Sequence, residues 1–241
     1  MARRAVVGSF LRGLLLLCIL ILASWLVWEA VTWPDVQALA ARAPATTAFI
    51  ERYKERERAA GRTAKAAIRW TPYAAISPEV KRAVLVAEDI NFFSHHGFDW
   101  GQIRIAMEEA LHDSEAPRGA STITQQLVKN LWLSGSRNPL RKVKETVLTW
   151  QVERTLAKRR ILELYLNVAE FGPGIYGVGP AAQAYFGSAP ANLGEEEAAL
   201  LAASLPRPSS WHPGSKSRGY QRYAVAIRAR MNKADFLRKQ I

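Results

Sequence analysis

The chain has 241 residues, an apolar fraction of 49% and a formal net charge of +12 at pH 7. This length allows one membrane anchor and one domain of roughly 200 residues, and the composition excludes long disorder. The single cysteine, Cys18, excludes an intrachain disulfide and a cysteine-based metal site, whereas the basic excess indicates an anionic partner: nucleic acid, a membrane surface or a phosphorylated substrate.

The N-terminal part of the chain carries a long apolar run. Residues 13–28 contain no charge and, with their flanks, reach the ~20 residues that cross a bilayer. Three arginines lie on the N-terminal side: Arg3, Arg4 and Arg12. Because acidic Glu29 and Asp35 follow the run, the positive-inside rule predicts a cytoplasmic N-terminus and an exported remainder.

These features divide the first third of the chain. We expect a short cytoplasmic segment at 1–12, a transmembrane anchor at 13–33 and a linker of mixed charge at 34–72. The alternative is a signal peptide cleaved near Ala38–Ala40. It is disfavoured because those small residues lie about ten positions beyond the apolar run.

Glu88 ends the first predicted helix of the main domain. Ser77 before Pro78 is typical of a helix N-terminus, and apolar residues then recur at helical spacing. Glu88 falls at the edge of that apolar stripe. A carboxylate beside apolar surface has a raised pKa and can act as a general base near neutral pH. The alternative is a local cap or ion pair.

Two further helices follow in the sequence. Asp99 is predicted to cap a helix that ends near His112, in which Trp100, Ile103 and Met107 fit ordinary core and lipid contact equally well. The next helix has an apolar stripe and a largely uncharged polar face. The polar positions are Thr122, Gln126, Lys129 and Asn130. Such a face indicates a ligand rich in oxygen atoms, and a polar interface to another domain is the alternative.

Glu145 lies in a cationic segment that begins at Asn138-Pro139, another helix N-terminus. Spacing alone makes Arg141–Glu145 an ordinary i, i+4 ion pair. Since Lys142 and further cations surround it, however, the ionised form of Glu145 is favoured. Two carboxylates in opposite environments are typical of divided acid–base roles.

The rest of the chain predicts a mainly helical fold. Gly172, Gly174 and Gly177 match G-x-G-x-x-G, but the run follows a helix rather than a strand, so we interpret it as a connecting loop. We find no alternating strands and no internal repeat, and the histidines show no metal-ligand spacing.

Five ordered motifs together resemble the peptidoglycan glycosyltransferase family, which includes the transglycosylase domain of bifunctional penicillin-binding proteins. Residues 88–97 are similar to its motif E-D-x-x-F-x-x-H-x-G, and 119–133 to its motif G-x-S-T-I-T-Q-Q-L-x-K-N. Arg141–Glu145, 161–167 and 205–208 resemble the third, fourth and fifth motifs. The small departures are Phe93 and Trp211, where tyrosine is common.

The resemblance implies a lysozyme-like helical domain at 73–241 with a smaller membrane-proximal lobe. No penicillin-reactive S-x-x-K or K-T-G motif appears, so it implies the monofunctional form. The implied activity is polymerisation of lipid II into β-1,4 glycan at the outer face of the inner membrane. Undecaprenyl pyrophosphate is released with inversion at MurNAc C1, and moenomycin is the expected inhibitor.

By resemblance, Glu88 is the general base, and Glu145 organises the cations or assists the departing diphosphate. Phe92 and His95 are expected to shape the first motif. The implied substrate-binding residues are Asp89, Ser121, Thr122, Gln126, Lys129, Asn130, Arg137, Arg141 and Lys142. No cofactor is required, although the resemblance leaves open a divalent cation, Mg²⁺ or Mn²⁺, near the two glutamates. The implied partners are lipid II, the growing glycan, membrane lipid and cell-wall synthesis proteins.

Two other functions remain open from the residues. A lysozyme-like hydrolase or lytic transglycosylase would share the helical fold and the catalytic glutamate but would cleave glycan. A non-catalytic anchored protein could bind an anionic polymer through the basic residues alone. Nucleic acid is not expected as a partner, because the domain is predicted to lie outside the cytoplasm.

Overall fold

The computed structural model describes residues 2–64, 66–112, 121–133 and 138–241, and the side chains of 12–64, 66–110, 121–133 and 138–241. It divides into two compact units, Met1–Asp35 and Val36–Ile241. The first unit contains helix α1 (Ala2–Val31). Within it, Arg12–Val31 has a mean hydropathy of 2.4 and is long and apolar enough to cross a membrane.

The second unit is mainly helical, as the sequence predicts. Its helices are α2 (Ala38–Ala41), α3 (Ala48–Ala59), α4 (Pro78–Glu88), α5 (Trp100–His112), α6 (Ile123–Trp132), α7 (Pro139–Thr155), α8 (Lys158–Val168), α9 (Val178–Phe186), α10 (Glu195–Ser204) and α11 (Arg218–Met231). Three 3₁₀ turns lie at Tyr73–Ala75, Pro190–Asn192 and Asp235–Lys239. Two short antiparallel strands, β1 (Glu170–Gly172) and β2 (Ile175–Tyr176), form a hairpin. The glycine-rich run 172–177, predicted to be a connecting loop, thus includes the end of β1, the turn and β2.

The predicted helix starts are confirmed where they depend on local hydrogen bonds. The Ser77 hydroxyl accepts a hydrogen bond from the Val80 amide, with Pro78 in the first turn of α4. Asp99 accepts from the amide of Gln102, and Asn138 caps α7. Each side chain satisfies an amide that the first helical turn leaves unpaired.

Two groups of helices form the core of the second unit. In the first, α4 packs against α10 and α11. In the second, α6 packs against α7 and α8, and α3 lies on α6. The apolar faces of α4, α6 and α8 are buried, including Val84, Leu127 and Leu164. The end of α4 and the start of α6 are thus held by separate groups of helices.

The segment that the sequence predicts to be a linker, 34–72, lies almost entirely in the second compact unit. Ile50 of α3 is fully buried and clusters with Ala66 and Tyr176. Asn167 of α8 also binds both backbone groups of Thr71, accepting from its amide at 2.7 Å and donating to its carbonyl at 2.9 Å. The second compact unit therefore includes α3, because apolar positions among the charges of this helix pack inward.

A buried arginine connects α4 to the C-terminal segments. The Arg82 side chain is 1% exposed and forms ion pairs at 2.8 Å with Glu79, 2.5 Å with Glu195 and 2.8 Å with Asp235. Glu195 starts α10 and Asp235 starts the last 3₁₀ turn. One guanidinium group thus contacts three carboxylates from three segments.

Replacing this arginine tests the connection. We expect Arg82→Met to lower the free energy of unfolding by about 3 kcal/mol, the lower end for a broken buried ion pair, since the carboxylates keep some solvent contact. The matched control is Arg228→Met, which removes the exposed 3.7 Å ion pair with Glu196. It should change the free energy of unfolding by less than about 1 kcal/mol. Denaturant unfolding of the detergent-solubilised chain measures both, and equal midpoints would contradict the assignment.

Candidate active site

A cleft of about 700 Å³ lies where α4 ends and α6 begins. Five residues predicted from the sequence line it: Glu88, Asp89, Ser121, Thr122 and Gln126. Four residues from the C-terminal third, which the sequence analysis did not propose as site residues, also line it: Arg207, Trp211, Tyr223 and Arg230. The cleft therefore joins the first two motifs to a wall formed by distant sequence.

Glu88 occupies the last position of α4 and is mostly buried in the cleft wall. Burial raises its pKa from the ordinary value, as the sequence predicts, because the charged form loses solvation. A hydrogen bond from Gln126 and the charge of Lys129 oppose this rise. The result is a carboxylate suited to accepting a proton.

Gln126 holds this carboxylate in a chain of hydrogen bonds. Its Nε2 donates to Oε2 of Glu88 at 2.7 Å, and its Oε1 accepts from the hydroxyl of Tyr165 at 2.9 Å. Tyr165 lies on α8 and is 1% exposed. Since the tyrosine hydroxyl occupies the amide oxygen, the amide nitrogen faces Glu88. Tyr165 is thus a positioning residue that the sequence analysis did not propose.

Asp89 is a largely buried residue of the cleft wall and fixes the first motif to the second. Its Oδ2 accepts from the Ile123 amide at 3.0 Å, and its carboxylate lies 2.9 Å from Nε2 of His95. Nδ1 of His95 accepts from the Gly97 amide, so Nε2 carries the hydrogen that faces Asp89. The Asp89 carboxylate and the His95 ring therefore both bind groups within the protein. His95 connects Asp89 to the Gly97 amide, which agrees with a role in shaping the first motif.

Thr122 caps α6 and contacts the same turn. Its hydroxyl donates to the Gly97 carbonyl at 2.7 Å, and its side chain and that of Gln125 form a reciprocal capping box. Gly97 has φ of +90°, and an added Cβ would lie 2.9 Å from a side-chain carbon of Thr149. The Thr122 hydroxyl is therefore occupied by the backbone, whereas Ser121 is exposed in the cleft.

A second charged cluster lies on α7. Glu145 is 4% exposed and accepts from Arg141 at 2.9 Å and from Lys142. Lys129 of α6 experiences the charges of both Glu145 and Glu88, while burial lowers its pKa. Lys129 thus connects the two glutamates electrostatically, although Glu145 does not line the described part of the cleft.

The remaining predicted residues are placed as follows. Asn130 is half-buried on α6, and Phe92 is fully buried with its ring below the ammonium group of Lys158. Arg137 lies outside the described residues. On α5 none of the described side chains is buried, and Trp100 and Met107 are 72% and 63% exposed. This exposure contradicts the core interpretation of α5.

The described residues do not fit a divalent cation at the two glutamates. No group of three or more histidine, cysteine, aspartate or glutamate side chains with metal-binding geometry occurs in the described part of the chain. Both oxygens of Glu145 accept hydrogen bonds from cations, and one oxygen of Glu88 accepts from Gln126. We therefore derive no step through a metal ion.

Comparison with known proteins places this site in a family. Residues 54–232 match the family model described as transglycosylase. The chain belongs to the transglycosylase family. It is 42% identical over 213 residues to a biosynthetic peptidoglycan transglycosylase of Thiobacillus denitrificans, covering 88% of this chain and 89% of the relative. Proteins of the same name from Methylobacillus flagellatus and Acinetobacter baumannii are 39% and 47% identical over 94% and 68% of this chain, and over 97% and 72% of their own lengths.

Membership of the transglycosylase family confirms the glycosyltransferase class and the mainly helical fold. The matched region includes both glutamates and the whole cleft lining, and it begins within α3. The start of the match, residue 54, lies within the second compact unit.

The hydrogen bond from Tyr165 gives a prediction for the pH dependence of the transglycosylase. In Tyr165→Phe the Gln126 amide can rotate and turn its oxygen toward Glu88, which favours the protonated carboxyl and raises its pKa further. If Glu88 is the base, the acidic limb of the plot of kcat/KM against pH should then shift to higher pH.

Tyr73→Phe is the matched control, because the buried Tyr73 hydroxyl has no hydrogen-bond partner among the described residues. It should leave the acidic limb in place. A Tyr165→Phe profile that coincides with that of the control would remove Tyr165 from the positioning of Glu88.

Proposed function

We propose that this transglycosylase polymerises lipid II into linear β-1,4 glycan strands on the outer face of the inner membrane. The observation that carries the proposal is the pair of unlike glutamates connected through Lys129: Glu88 with a raised pKa in a cleft, and Glu145 among cations. The name shared by the relatives, biosynthetic peptidoglycan transglycosylase, supports the same reaction.

Glu88 acts as general base in this reaction. It removes the proton from the GlcNAc 4-hydroxyl of the acceptor, lipid II, and that oxygen attacks C1 of the terminal MurNAc of the growing chain. The bond from C1 to the diphosphate oxygen breaks, and its electron pair leaves with undecaprenyl pyrophosphate. Attack from the opposite face inverts C1. General-base catalysis of this kind contributes roughly 10²–10⁴-fold to the rate.

We call Glu145, Arg141 and Lys142 of α7, together with Lys129 of α6, the α7 cluster. This cluster stabilises the departing diphosphate. Arg141, Lys142 and Lys129 outnumber the single carboxylate of Glu145, so the cluster keeps a positive excess. An arginine suits bidentate contact with phosphate oxygens, and a lysine supplies a compact charge. Glu145 holds Arg141 and Lys142 in place through its two oxygens, which is the orienting role expected for it. Asp89, Thr122 and Gln126 line the cleft that holds the sugars, with Ser121 at its surface, and Asn130 on α6 is a further candidate for binding the substrate.

Exposed apolar side chains support a membrane location. On α7 they recur on one face at Leu140, Val143, Val147 and Trp150, each between 42% and 60% exposed. On α5, Trp100 and Met107 are still more exposed. Such faces suit acyl chains and the polyprenyl tail of the substrate, and α1 supplies a single-pass anchor with the N-terminus inside. Cell-wall synthesis proteins are the expected further partners.

The decisive experiment uses the detergent-solubilised chain with purified lipid II and, separately, with finished peptidoglycan. We expect glycan strands from lipid II, inhibition by moenomycin and no cleavage of finished glycan. Glu88→Gln should abolish polymerisation, because an amide cannot accept the proton. Its thermal midpoint should equal or exceed that of the unsubstituted protein, since the buried carboxylate with its raised pKa loses stability once ionised.

The outcomes separate the alternatives. Cleavage of finished peptidoglycan without polymerisation would establish the lytic enzyme. Binding of anionic polymer with neither reaction would establish the non-catalytic protein. Polymerisation that persists in Glu88→Gln would reject the base assignment alone.

Lys129 has a separate test. We expect Lys129→Ala to lower kcat/KM by roughly 10- to 100-fold, the effect of losing a hydrogen bond to a charged group. Lys129→Arg should restore part of the rate because it keeps the positive charge. Lys233→Ala, an exposed lysine beyond α11, is the control. A rate for Lys129→Ala equal to that of the control would exclude Lys129 from the site.

A further inference from the structure

The C-terminal wall of the cleft contains two neighbouring aromatic rings, each in contact with an arginine. The guanidinium of Arg207 lies 5.2 Å from the Trp211 ring centroid, and that of Arg230 lies 5.6 Å from the Tyr223 ring centroid. The two rings are themselves 5.9 Å apart. All four residues line the cleft. We call Arg207, Trp211, Tyr223 and Arg230 the arginine–aromatic wall.

Both guanidinium groups of the wall face solvent. Among the described residues neither Arg207 nor Arg230 forms an ion pair with a carboxylate, and both are exposed. Arg82 and Arg141 differ, since each contacts a carboxylate within 3 Å. The wall thus presents to the cleft two guanidinium groups that form no ion pair among the described residues, although Glu88, Asp89 and Asp99 also line the cleft.

The wall is also fixed relative to the proposed base. The Tyr223 hydroxyl donates to the Ala87 carbonyl at 3.2 Å, one residue before Glu88. Tyr220, one turn earlier on α11, is fully buried and donates to the Leu200 carbonyl. A ligand held by the wall is therefore positioned against the end of α4.

We infer that the arginine–aromatic wall binds an oxyanion group of the cleft-bound sugar substrate, with the rings packing against its apolar sugar face. Planar guanidinium groups match carboxylate and phosphate oxygens, and those stacked on rings lose little freedom on binding. This inference rests on the proposed function. It is distinct from the α7 cluster, because Lys129, Arg141 and Lys142 do not line the described part of this cleft.

Two oxyanions of lipid II could supply this group: the carboxylates of its peptide and its diphosphate. A short-chain lipid II analogue and the same analogue with every peptide carboxyl converted to an amide distinguish them. Arg207→Gln, Arg230→Gln and the double variant remove the charges from exposed positions. The matched control is Arg222→Gln, an exposed arginine on α11 that does not line the cleft.

We expect the double variant to raise KM for the unmodified analogue about tenfold while kcat changes less than about twofold, the pattern of lost binding without lost chemistry. If the wall binds carboxylate, the amidated analogue abolishes the difference between the double variant and the unsubstituted protein. If it binds diphosphate, the tenfold difference remains with both analogues. A KM for both analogues within twofold of that of Arg222→Gln would overturn the inference.

The dissociation constants of both analogues, measured in the Glu88→Gln background, give the same comparison without turnover. Failure of the unsubstituted protein to polymerise lipid II would count against the proposed function. Loss of binding in the double variant would still support the wall, and equal binding would overturn it.

Discussion

The amide of Gln126 is the contact on which the site depends. It joins α6 to α4 through Glu88 and to α8 through Tyr165, so three helices converge on one side chain. The amide has a fixed direction because its oxygen is engaged by a buried hydroxyl. The proposed base therefore receives a donor, which keeps its ionised form accessible despite burial. The core of α4, α6 and α8 serves to hold this short chain of hydrogen bonds.

Around this contact, the motifs hold one another. Asp89 caps the start of α6, Thr122 bonds back to the Gly97 carbonyl, and Gly97 lies against Thr149 of α7. The first two motifs thus form a single structural unit, in which several polar side chains form hydrogen bonds to the backbone. Ser121 and Glu88 remain open to the cleft, and the cations of α6 and α7 lie outside its described lining.

The sequence predicted the features of the site that depend on neighbouring residues. It did not predict the contacts between residues that are far apart in the chain. The caps at Ser77, Asp99 and Asn138 and the raised pKa of Glu88 follow from local pattern. Thr122 with Gln125 three positions later also matches a capping box, a signal that the polar-face interpretation overlooked. By contrast, Tyr165 meets Gln126 across 39 positions and Tyr223 meets Ala87 across 136, and no periodicity encodes either contact.

The distribution of charge explains why the fold keeps two kinds of arginine. Arg82 is surrounded by carboxylates, and its ion pairs connect α4, α10 and the last 3₁₀ turn. Arg207 and Arg230 contact aromatic rings instead, which orient a guanidinium group without neutralising it. The basic residues behind the net charge of +12 therefore include cations paired within the fold and cations left open to a ligand. Because these two groups form no ion pair among the described residues, they remain available to an anionic ligand in the cleft, which is the role inferred for them.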